Sequence, residues 1–94
     1  MPVFKLEPIE GTEDHLDWNA SSVPPTPVWL LAGNANHARQ RMHLATFSTA
    51  LDPGEILHGP WVNTTLVRCV EDTSREVPPD KALLANGKIS LKLP

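Results

Sequence analysis

Apolar and polar side chains alternate at both ends of this chain, and the alternation predicts its outer strands. Over residues 3–9, Phe4 and Leu6 fall on one side while Lys5 and Glu7 fall on the other. That is the period of two expected of a half-solvated strand. Residues 88–93 repeat the pattern, with Ile89, Leu91 and Leu93 inward and Lys88, Ser90 and Lys92 toward water. A run of another kind lies between them. Residues 27–32, built on Val28-Trp29-Leu30-Leu31-Ala32, are apolar on both sides, which predicts an interior strand covered twice.

Gly33 and Asn34 break this run, and a helical period follows over about residues 35–50, with Asn34 or Asn36 as the N-cap. Ala35, Ala38, Met42, Ala45 and Thr49 form one stripe, a seam whose small side chains let a helix approach a sheet closely. Leu44, Phe47 and Leu51 form a second stripe about half a turn away. That stripe needs a partner of its own, either the 52–62 segment folding back or another subunit. Asp52-Pro53-Gly54 stops the helix, and residues 64–71 carry the β-propensity of a further strand.

Two readings fit the segment around 79–86. Pro79 at a helix start, good helix formers within and Gly87 at the end spell a short helix. Asn86-Gly87 equally suits a hairpin turn, with Leu84 opposite Ile89 and Ala82 opposite Leu91. The lack of β-branched or aromatic residues over 81–85 favours the helix. The expected architecture is α+β. A small mixed four-stranded sheet (3–9, 27–32, 64–71, 88–93) carries one main helix on one face, and a right-handed βαβ crossover joins its second and third strands.

The tract Trp18-x-Ala20-Ser21, Val28-x-Leu30-x-Ala32 and then Ala38-Arg39 resembles short bacterial α+β proteins of unknown function with a tryptophan loop, a strand and an alanine-rich helix. The resemblance covers roughly the first half of the chain. It implies this element order and assigns no activity.

Composition narrows the function classes. Ninety-four residues make one domain with a thin core, in which ten prolines mark the connections. The formal charge of −3 argues against nucleic acid as a partner. The eight Lys and Arg residues are scattered along the chain, as on a generic solvated surface. A lone cysteine, Cys69, excludes an internal disulfide and a CxxC metal site. No apolar run is long enough for a bilayer and the N-terminus has no secretory pattern, so a soluble, cytoplasmic protein is expected, with no membrane partner.

Candidate chemistry is sparse, and no catalytic, cofactor or metal site is expected. His37 and His43 are six apart, which sets them about 120° from each other around a helix, too far apart to share a metal. His15 beside Asp14 and Asp17 is a weak ion-binding arrangement, more simply read as solvated loop. Cys69 lies mid-strand and reads as a small buried hydrophobe. Ser21, Ser22 and Ser48 lack a nucleophile-elbow pattern, and Glu13-Asp14 and Glu71-Asp72 read as surface charge. The strand-to-helix turn Gly33, Asn34, Asn36, His37 offers helix N-terminal N–H groups to an anion, although simple capping explains the same residues. Trp18 and Trp61 stand in or beside proline-containing loops, where a ring either pins the loop or forms a contact surface. Two functions compete. One is a non-catalytic interaction module that self-associates, or binds a protein partner, through Trp18, Leu44, Phe47, Leu51 and Trp61. The other is a small-ligand or anion-binding domain using residues 33–37.

Overall fold

A computed structural model describes residues 1–47, 59–84 and 89–94, and the side chain of Ile89 is left aside. Five strands, β1 (Val3–Pro8), β2 (Val28–Leu31), β3 (Val67–Glu71), β4 (Lys81–Leu84) and β5 (Ile89–Lys92), form one sheet in the order β3-β1-β2-β4-β5. One helix, α1 (Ala35–Thr46), packs on one face. The class is α+β as expected, but the sheet has five strands, and every neighbouring pair is antiparallel.

The extra strand comes from residues 81–84, where the helical reading fails. Ala82 and Leu84 are buried while Lys81 is exposed, so burial on a sheet face outweighs the helix propensity of Lys-Ala-Leu-Leu. The hairpin register is the one the alternative reading gave, Leu84 opposite Ile89 and Ala82 opposite Leu91. Its Asn86-Gly87 turn lies outside the described residues.

The crossover is also altered. β2 and β3 both run antiparallel to β1 and therefore parallel to each other, with β1 inserted between them. A direct β2–β3 ladder would have left β1 as an edge. Placing β1 second lets Phe4 and Leu6 bury beneath the helix with Val28 and Leu30. β3 starts at Val67 because Asn63 organises the residues before it, its carbonyl accepting from the Leu66 and Val67 N–H groups.

The helix keeps its alanine seam. Ala38 and Met42 are fully buried, and Ala35 and Ala45 pack partly buried against the same core. Thr49 lies outside the described residues. Asn34 is the N-cap, its side chain accepting from the His37 N–H at 2.8 Å. The helix ends at Thr46 and does not run on to 50. Phe47 is extended and forms an isolated bridge with Ser21, and the Ser22 N–H donates to the Thr46 carbonyl. This pairing with the 10–26 segment takes the backbone groups that another helical turn would use.

Arg39 shares the buried side of α1, which the alanine stripe gave no reason to expect. It is about nine-tenths buried, and its guanidinium donates to the Trp61 carbonyl at 3.3 Å and the Val67 carbonyl at 2.8 Å. Arg41 ties the other flank, donating to the carbonyls of Leu31 at 2.7 Å and Pro79 at 2.9 Å. Also on α1, His43 lays its imidazole directly on Gly59, in space a β-carbon at that position would need.

The opposite sheet face carries a smaller cluster of Val3, Trp29 and Val77. The expectation that Val28–Leu31 would be covered on both faces therefore holds, with Val28 and Leu30 under the helix and Trp29 and Leu31 on the other side.

Two stability outcomes follow from these contacts. Arg39→Met keeps the apolar stem but leaves two buried carbonyls without a donor, so urea unfolding should show a loss of about 2–4 kcal/mol. Gly59→Ala should cost about 1–3 kcal/mol by displacing the His43 ring, and most of that loss should vanish in a His43→Ala background.

Candidate interaction surface

Most polar groups singled out in the sequence are engaged in holding the fold. At the strand-to-helix turn, the His37 Nδ1 accepts from the Gly33 N–H at 2.9 Å, while Asn34 caps the His37 N–H. Two donors that an anion would seek are thus already bonded, and Asn36 is exposed beside them. His15 caps the 3-10 turn Leu16–Ala20, its Nδ1 accepting from the Asp17 N–H at 3.1 Å. Ser21 serves structure too. Its Oγ accepts from the Val23 N–H and from the Trp61 indole N–H at 3.0 Å. Among the described residues no three His, Cys, Asp or Glu side chains are grouped to hold a metal ion, and Ser48 and His58 lie outside them.

Cys69 is half-buried on the helix side of β3, 3.9 Å from the Ala35 carbonyl. Burial pushes its thiol pKa up, and the Arg39 charge only partly opposes this. A raised pKa keeps the sulfur protonated and unreactive at neutral pH.

Trp18 and Trp61 pin their loops and do not form a displayed surface. Trp61 is fully buried, Trp18 is 7% exposed, and the two rings meet edge to face with centroids 5.2 Å apart. Exposed apolar side chains lie elsewhere, among them Leu16, Val62 and Val70, and at the outer side and end of α1 Leu44 and Phe47. Leu44 is 71% exposed and Phe47 37%, the latter leaning on the His43 ring at 4.7 Å. Leu51 lies outside the described residues. Beside Leu44, a shallow groove of about 300 Å³ is lined by Leu44, Ala45, Lys92, Leu93 and Pro94. It runs between α1 and β5, an edge strand of the sheet.

A polar cluster on the other sheet face has no counterpart in the sequence reading. The Trp29 indole N–H donates to Asp72 at 3.1 Å, and the Arg75 guanidinium lies 4.2 Å from the Trp29 ring centroid. Hydrogen bonds from the Ser74 hydroxyl and backbone, then from Trp29, hold the Asp72 carboxyl down at about 2, with Lys5 adding a smaller pull. The run Glu71-Asp72 looks like surface charge because its partner, Trp29, is 43 residues away.

Comparison with protein-family models, with curated proteins and with solved structures finds no match for this chain.

The Asp72 cluster predicts a pH dependence. A carboxyl lowered from 3.8 to about 2 in the folded chain contributes stability above 3.8 that is lost as pH falls through about 2. In urea titrations, wild type should therefore exceed Asp72→Asn by a constant margin above about pH 5, and the margin should close as pH falls through that window. An unchanged margin at about pH 2 would show that the charge contributes nothing.

Proposed function

We propose that this chain is a small non-catalytic interaction module that associates with itself through the outer side of α1. The carrying observation is Leu44, a large apolar side chain 71% exposed beside an open groove, with Phe47, the extended residue just past the helix end, 37% exposed three positions further on. Removing apolar surface from water is worth about 25 cal/mol per Å², and a two-fold pairing of helices would cover both copies of this stripe at once. The bonded state of the candidate polar groups supports the non-catalytic reading. Trp18 and Trp61 do not contribute directly, since their rings are spent inside the monomer. The occupied caps at residues 33–37 leave the anion-binding alternative with less support.

Sedimentation velocity from low to high micromolar concentration tests this. The wild-type chain should show a concentration-dependent dimer, and Leu44→Asp should weaken it by at least about tenfold, because a charge replaces a central apolar contact. A wild-type chain that stays monomeric throughout contradicts the proposal.

A further inference from the structure

The sheet collects on one face the positive charges that the sequence scatters. In an antiparallel ladder, residues directly opposite share a face, as do residues two apart along a strand. Lys5 stands opposite Trp29 and Val70, Glu7 opposite Arg68, Trp29 opposite Leu83, and Lys81 opposite Lys92. Lys5, Arg68, Lys81 and Lys92 therefore all lie on the face away from α1, and Arg75 stacks on Trp29 of that face. Of the eight Lys and Arg residues, Arg39 and Arg41 donate to backbone carbonyls and Lys88 lies outside the described residues. The five others all belong here. Among the described residues the acids at this face are Glu7, bonded to Lys5 at 3.1 Å, and Asp72, bonded to the Trp29 indole. Asp72, Glu76 and Asp80 lie in the segment between β3 and β4, with Asp72 engaged by Trp29 and Ser74.

From this placement we infer that the helix-free face, around Lys81, Lys92 and Arg68, docks an acidic polypeptide segment of a partner protein. Lys81 and Lys92 are exposed, directly opposite each other and in no ion pair among the described residues. Like charges so placed repel, and a carboxylate between them turns that repulsion into attraction. Val70, 43% exposed beside Arg68, gives the same face an apolar contact. Nucleic acid fits less well. Single strands are held by bare aromatic rings, whereas Trp29 is 7% exposed with Arg75 stacked on it and Val77 packed against it. The net charge of −3 also repels a long polyanion once it extends beyond this face.

Fluorescence anisotropy of the full chain against fluorescein-labelled octaglutamate, at about 20 mM salt, tests the inference. The peptide should bind, and K81Q/K92Q should weaken binding about tenfold, while N19D/Q40E, the same charge change placed off this face, should leave it within about twofold. Circular dichroism confirms that both variants fold. No binding by wild type, or an equal loss in both variants, overturns the assignment. Tighter binding of octathymidylate than of octaglutamate overturns it in favour of nucleic acid.

Discussion

Among the described residues one helix covers the buried face of a five-stranded sheet, and the way α1 is fastened there sets most of what else the chain does. Ala38 and Met42 are fully buried on the sheet side, the small Ala38 letting the backbone come close while Met42 fills the core between helix and sheet. Arg39 then fixes the helix laterally, donating to carbonyls at Trp61 and at Val67, the first residue of β3. A buried guanidinium is costly to desolvate, and its hydrogen bonds to carbonyls recover that cost only while those carbonyls stay in place. The helix, the 3-10 turn Pro60–Val62 and the start of β3 are consequently interdependent. Trp61 completes the arrangement, meeting Trp18 edge to face and binding Ser21 through its indole N–H. The long 10–26 segment is thereby held to the domain.

The same fastening produces the bare side of the helix. With Ala38, Arg39, Met42 and Thr46 committed inward, Leu44 has to point away from the sheet. The two faces of the molecule therefore differ in kind. The helix side presents an apolar stripe next to edge strand β5, and the far side presents lysine and arginine around a covered tryptophan. Arg39 and Arg41 are tied to backbone carbonyls, and burial raises the Cys69 thiol pKa.

Local periodicity made much of this legible. The strands at 3–9 and 88–93, the doubly covered strand at 27–32 and the alanine seam could be read because each pattern is complete within a few residues. What could not be read depends on distant partners. Residues 81–84 have helical propensity and become a strand because β2 and β5 offer edges to both sides of them. The end of α1 is set by Ser21 and Ser22, more than twenty residues upstream. Arg39 looked like an ordinary helix-surface residue because its acceptors are 22 and 28 positions away. The basic face was hidden for the same reason, as its residues come from four strands and only the ladder register brings them together.

Methyl NMR over a concentration series separates the inner and outer sides of α1 within one sample. Two residues apart, Met42 is fully buried against the sheet and Leu44 stands in solvent. Raising the concentration should shift and broaden the Leu44 methyl signals while the Met42 methyl stays unchanged. Motionless Leu44 signals, or a Met42 signal that moves as much, would contradict a helix with one side fastened and the other free to pair.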